Sequence, residues 1–146
     1  MTVLGAVLAG GASSRMGRDK AAVVVGGRTM LDRVSDALAE VCDRVVVLGP
    51  EREDVETWPD RDPGSGPLAG LANALERADT DHVLLVAVDN AFVRVETLRG
   101  LVSLAGEMPV IPVDRDGVRQ VTCALYPTSL AGIAREELEA GGSLQS

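Results

Sequence analysis

The chain has 146 residues, 46% of them apolar and 25% charged, which fits one domain of ordinary size with a full hydrophobic core. Twenty-two acidic residues against fourteen basic ones leave a net charge of −8, and that balance excludes a nucleic-acid groove or a polybasic membrane patch. Trp58, Phe92 and Tyr126 are the only aromatics, so small aliphatic side chains must build the core, as suits helices packed closely on a sheet.

Val3 to Ala9 is a short aliphatic run that predicts a buried strand. A loop from Gly10 to Lys20 follows. Thr29 can cap a helix reaching about Cys42, with Leu31, Val34, Leu38 and Val41 at helical spacing. Arg44 to Leu48 predicts a second buried strand, ended by Gly49-Pro50, and residues 51–66 are mostly polar. Pro67 suits the first turn of a helix whose apolar face is Leu68, Leu71, Ala72 and Leu75. Val83 to Val88 predicts a third strand, stopping at Asp89-Asn90, and a helix from Glu96 to about Ala105 comes next. Val110 to Val113 and Gln120 to Tyr126, joined through Asp114-Arg115-Asp116-Gly117, predict a hairpin. A last helix from about Ser129 to Ala140 stops at Gly141-Gly142. Such alternation predicts an α/β fold, a Rossmann-like three-layer sandwich with a mostly parallel, mixed sheet.

Several chemistries are excluded early. The run Val83 to Val88 is far short of the roughly 20 residues that span a bilayer, and no signal-type segment is expected at residues 3–9. No membrane contact and a cytoplasmic location are therefore expected. Cys42 and Cys123 lack metal-type spacing and are expected to be buried thiols. His82 is the single histidine, so a multi-histidine metal site is impossible, and it is expected simply to open a strand.

In open α/β sheets ligands bind beyond the carboxyl ends of the strands. The loop after the first strand is the richest stretch there. Gly10 and Gly11 let backbone N–H groups approach an anion, Ser13 and Ser14 add hydroxyl donors, and Arg15, Arg18 and Lys20 bring positive charge. An acidic chain thus concentrates a phosphate site in one place. The loop is neither GxxxxGK[ST] nor GxGxxG. Gly64, Gly66 and Gly70 suit a turn leading into a helix better than a dinucleotide fingerprint. Lys20 is the only lysine among the basic residues, the rest being arginine, which marks a place where a compact point charge is wanted. Asp89, at the end of a buried strand, suits either a magnesium ligand or a cap for the following turn.

Leu8-Ala9-Gly10-Gly11, Ser13-Ser14-Arg15-Met16-Gly17 and Asp19-Lys20 together resemble the signature of sugar-phosphate-type nucleotidyltransferases, and are most similar to the molybdenum cofactor guanylyltransferases. Pro59-Asp60, Pro63-Gly64 and Gly66-Pro67-Leu68-Ala69-Gly70-Leu71 resemble that family's second motif. Val86 to Phe92 sits where the family has a strand-ending, metal-binding aspartate, and Val121 to Tyr126 resembles a strand near its acceptor site. The resemblance covers nearly the whole chain. It implies transfer of GMP from GTP to molybdopterin with Mg²⁺, giving the guanine dinucleotide cofactor and pyrophosphate. It implies nucleotide contacts from Leu8, Ala9, Gly10, Gly11 and Ser13, phosphate contacts from Arg15 and Lys20, nucleoside contact from Asp60, and magnesium at Asp89. It also implies partners among molybdenum-cofactor biosynthesis or acceptor proteins.

Three positions depart from the family's pattern. Leu48-Gly49-Pro50 stands where a polar residue often contacts the nucleoside. Val88 and Ala91 replace the Cys and Pro of a Cys-Asp-x-Pro-Phe motif. Residues 1–146 are expected to form a single nucleotidyltransferase domain, short at its C-terminal end, where the family continues through a further strand and helix. The alternatives are a related cytidylyltransferase or other nucleotidyltransferase, and a catalytically silent nucleotide-binding accessory protein.

Overall fold

The computed structural model describes residues 1–9, 24–25, 28–50, 52, 55–59 and 66–144. In chain order the elements are β1 (Val3–Leu8), β2 (Val24–Val25), β3 (Arg28–Thr29), α1 (Met30–Ala39), β4 (Arg44–Leu48), β5 (Thr57–Trp58), α2 (Pro67–Arg77), β6 (His82–Ala87), α3 (Val95–Ser103), β7 (Cys123–Pro127) and α4 (Ala131–Glu139). Single turns of 3-10 helix, Val88–Asn90 and Thr128–Leu130, follow β6 and β7.

Among the described residues five strands share one sheet, in the order β5-β4-β1-β6-β7. The first four run parallel and β7 is antiparallel to β6, from His82 beside Pro127 to Val86 beside Cys123. Successive side chains of a strand face opposite sides of the sheet, and here each side carries its own core. Val3 and Val7 of β1, Val47 of β4, Leu84 and Val86 of β6 and Leu125 of β7 meet Leu31, Val34 and Leu38 of α1 and Leu98 of α3. Leu4, Ala6, Val46, Leu48, Val83, Leu85 and Ala124 meet Leu68, Leu71 and Leu75 of α2 and Ala134 of α4. Each fully buried Leu or Val contributes about 1.5–3 kcal/mol relative to exposure. The fold is the expected three-layer α/β sandwich.

Helices α1, α2 and α3 begin within a residue of where the sequence predicts, and α1, α3 and α4 end earlier. Thr29 caps α1, its Oγ1 accepting the Asp32 N–H at 3.0 Å. The helix stops at Ala39 because Val41 and Cys42 both turn their N–H groups back to the Leu38 carbonyl. Cys42 lies against the core, and burial pushes its thiol up to about 12. Helix α3 runs from Val95 to Ser103, where the Ser103 hydroxyl donates to the Gly100 carbonyl at 2.6 Å. Helix α4 starts two residues later than the reading from Ser129, after the 3-10 turn.

Three readings need correction. Strand β6 ends at Ala87, and Val88 opens the 3-10 turn instead of closing the strand. The predicted hairpin shrinks to two isolated bridges, Val110 with Leu125 and Val113 with Arg119. Pro112 has no N–H to give a ladder, and Asp114 Oδ1 collects the Asp116 and Val118 N–H groups at 2.9 Å each, which widens the turn. The strand after it pairs along its length with β6 and keeps only the Val110 bridge on its other side. Strand β5 falls in the stretch read as polar loop, and β2 with β3 form a two-residue ladder that the sequence does not signal.

His82 opens β6 as expected, buried, with Nε2 3.0 Å from the Gly106 carbonyl oxygen. It sits at the amino end of its strand, away from the carboxyl edge. No helix among the described residues is long and apolar enough to cross a membrane.

Candidate functional site

Strand register lines up one edge of the sheet. Leu8 lies beside both Leu48 and Ala87, and Leu48 lies beside Trp58. Four parallel strands therefore end level, about 4.8 Å from neighbour to neighbour. The Ala9 N–H donates to the Leu48 carbonyl at 3.1 Å and the Gly49 N–H to the Trp58 carbonyl at 3.2 Å, which carries the ladder one residue past the strands. The chain leaves Ala9 for residues 10–23 at the middle of this edge, with Ala87–Asp89 on one flank and Leu48–Gly49 on the other.

Asp89 sits in the 3-10 turn that follows β6, and it is exposed. The turn is held from both sides. The Ala87 N–H donates to the Thr122 carbonyl at 2.9 Å, and the Asn90 Nδ2 donates to the same oxygen at 3.3 Å. Val88 and Ala91, the two departures from the family motif, are each 5% exposed and face into the protein. They pack the turn from beneath and leave Asp89 its surface position. The Arg33 guanidinium of α1 lies 5.3 Å from the centre of the Phe92 ring, bracing the turn's far side. Among the described residues no three His, Cys, Asp or Glu side chains gather into a metal cage. A single exposed carboxylate suits Mg²⁺, which keeps several waters and takes other ligands from substrate phosphates.

Helix α2 presents its amino end to the same edge. Gly66 precedes it at φ +80° and ψ −171°, a conformation that side chains rarely adopt, and Pro67 occupies the first helical position. Among the described residues no side chain caps this end and no acidic residue stands in its first turn; the amino end of a helix carries a positive pole that favours anions. Gly70 lets the helix lie directly on the end of β1: a Cβ there would come within 2.8 Å of Leu8 Cδ1.

Beside Pro67 the segment leading into β7 closes a recess of about 270 Å³ that includes Arg119, Gln120 and Thr122. The Tyr126 hydroxyl donates to the Val121 carbonyl at 2.6 Å and fixes that segment. Burial pushes the Tyr126 phenol up to about 12, with the Arg119 charge acting in the opposite direction. Arg119 is absent from the sequence reading. Its signal was slight, a basic residue just ahead of an apolar strand.

Of the predicted site residues, Leu8, Ala9 and Asp89 share the carboxyl edge, on adjacent strands. Gly10, Gly11, Ser13, Arg15, Lys20 and Asp60 lie outside the described residues. The Leu48-Gly49-Pro50 departure forms the β4 end of the edge and supplies backbone groups only, Gly49 through its N–H.

The probable molybdenum cofactor guanylyltransferase of Deinococcus radiodurans is 47% identical over 89 residues, covering 58% of this chain and 46% of that protein. The molybdenum cofactor guanylyltransferase of Rhizobium johnstonii is 35% identical over 136 residues, covering 88% of this chain and 65% of that protein. The chain thus spans about half to two thirds of the length of these curated relatives. The crystal structure of molybdopterin-guanine dinucleotide biosynthesis protein A from Archaeoglobus fulgidus superposes with a TM-score of 0.77 at 24% identity, covering 95% of this chain and 74% of that one, and has the same fold. Residues 5–145 match the MobA-like NTP transferase domain, and the chain belongs to that family.

Proposed function

We propose that this chain transfers GMP from GTP to molybdopterin, in the cytoplasm, with Mg²⁺ as its cofactor. One observation carries the reading: Asp89 and the Leu8-Ala9 end of β1 leave adjacent strands on the edge that also faces the amino end of α2. A carboxylate for a hard cation and a positive pole for an anion stand together where a nucleoside triphosphate needs both. The names of the two relatives supply the nucleotide and the acceptor.

In this reading the backbone of Leu8, Ala9, Gly10 and Gly11 and the Ser13 hydroxyl contact the nucleotide, and Asp60 contacts its nucleoside. Arg15 and Lys20 act at the phosphates. Asp89 would hold Mg²⁺, which neutralises charge on the reacting phosphates. An oxygen of the acceptor's phosphate bonds to the α-phosphorus of GTP. The bond from that phosphorus to the bridging oxygen breaks, and pyrophosphate leaves with its electron pair. A phosphate monoester is already largely ionised near neutral pH, so no side chain need take a proton. Catalysis then rests on positioning and charge stabilisation. The recess beside Pro67, with Arg119 at its side, receives the acceptor, which fits its place next to the reacting edge. Acceptor proteins of the same biosynthesis are the proposed partners.

Thermal melting with each nucleoside triphosphate and Mg²⁺ tests the nucleotide. A ligand that binds only the folded state raises stability according to its affinity, so GTP should give the largest shift. An equal or larger shift with CTP would move the reading to cytidylyl transfer.

A further inference from the structure

Helix α2 carries one polar side chain inside its buried stretch. Every residue from Leu68 to Leu75 is buried, and Asn73 is only 1% exposed. Its Nδ2 donates to the Pro59 carbonyl at 3.2 Å, while its Oδ1 is buried with no hydrogen-bond partner among the described residues. Two oxygens would repel, so the amide can face Pro59 only through its nitrogen. Asn is a poor residue for a helix interior, and a buried amide oxygen without a partner opposes folding. Ala or Leu would serve the core better. What Asn73 provides is the bond to Pro59.

That bond lies at a sensitive point. Strand β5 has two residues, paired to β4 through Thr57 and Trp58, and Pro59 follows directly at the carboxyl edge. The Pro59 carbonyl belongs to the peptide unit that joins Pro59 to Asp60. Proline fixes its own φ, so this carbonyl's direction depends on ψ and on what the oxygen bonds. The same helix rests on the end of β1 through Gly70 and Leu8. One rigid element therefore references two separate parts of the edge, the end of β1 and the exit from β5.

We infer that Asn73 is a positioning residue for the nucleotide: by clamping the Pro59 carbonyl to α2, it fixes the exit of the chain from β5 at the nucleotide-binding edge. The inference rests on the proposed binding of GTP at that edge. Asn73 acts through that carbonyl and contacts no substrate.

Asn73→Ala and Asn73→Leu both remove the donor but differ in volume, so a shared effect belongs to the lost bond and a divergent one to packing. The measurement is calorimetric titration of the full chain with GTP and Mg²⁺, alongside melting of the free protein and steady-state transfer kinetics. Both variants should bind GTP about tenfold more weakly. KM for GTP should rise by the same factor while kcat at saturating GTP stays within about twofold. A purely structural role would lower the melting temperature and leave the affinity of the folded protein unchanged. Wild-type affinity in both variants, or a loss in one alone, overturns the inference and leaves the proposed function standing. A parent protein that binds no GTP overturns the proposed function, and the inference with it.

Discussion

The Asp89 carboxylate stands on a turn whose backbone is already secured by the Ala87 N–H, the Asn90 amide and the buried Val88 and Ala91. Asp89→Asn keeps shape and turn-capping ability but removes the charge that would hold a divalent cation. If the carboxylate serves the cation, turnover should fall by about 10²-fold or more, the size of effect seen when one charge-stabilising group is lost. The melting temperature of the free protein should stay level or rise slightly. Transfer rate and melting, measured on the same variant across a magnesium titration, separate the two roles; undiminished turnover at low magnesium would leave Asp89 as a turn residue only. Asp89 was legible in the sequence because an acidic residue ends a continuous apolar run. Asn73 was not, since a single Asn between Ala72 and Ala74 reads as a solvated position. Only the packing of α2 on both β1 and the β5 exit shows it to be buried.

At the scale of elements, two glycines make opposite forecasts. Gly66 holds φ +80° at the start of α2, and a Cβ there would meet nothing within 4 Å. Gly66→Ala should therefore destabilise by backbone strain alone, about 1–3 kcal/mol. Gly100 lies exposed in the middle of α3, also with open space around it. Gly100→Ala should stabilise by about 0.5–1 kcal/mol, because alanine loses less backbone freedom in a helix. Denaturant unfolding of both variants checks the pair. Strands β1, β4 and β6 and the helices were readable from local pattern, since each buries a continuous run or one helical face. Strand β5 was not, because Thr57 and Trp58 sit between polar residues and prolines. Its identity depends on pairing with β4, which no local pattern encodes. Strand β7 was readable within Gln120 to Tyr126, but its main pairing was not: beside the Val110 bridge its full-length partner is the more distant β6.

For the whole molecule, exposed carboxylates tie together parts of the chain that lie apart in sequence. Arg44 Nε donates to Glu56 Oε1 at 2.8 Å, joining the start of β4 to the residue before β5, and this bond holds the Glu56 carboxyl below the usual carboxylate range. Asp81 accepts the Thr2 N–H at 3.0 Å beside the start of β6, and that bond lowers its carboxyl likewise. A carboxyl whose value is lower folded than unfolded stabilises the fold above the unfolded value, about 4 for these groups. The contribution disappears as pH falls through the lower, folded value. The melting temperature should accordingly be level from neutral pH to about 5 and decline below it, and Glu56→Gln should soften the decline. An equally steep decline in that variant would exclude Glu56 as a source. The alternation of apolar runs and amphipathic helices made the three-layer plan legible, while the shared edge that gathers Leu8, Ala9, Asp89 and α2 required the strand register.

Guanylyl transfer at that edge is tested by identifying the product. The full chain is incubated with molybdopterin, Mg²⁺ and each of the four nucleoside triphosphates in turn. With GTP the guanine dinucleotide of molybdopterin and pyrophosphate should form, at a rate that Asp89→Asn nearly abolishes. A dinucleotide formed preferentially from CTP, or no product from GTP that the protein nonetheless binds, would contradict it.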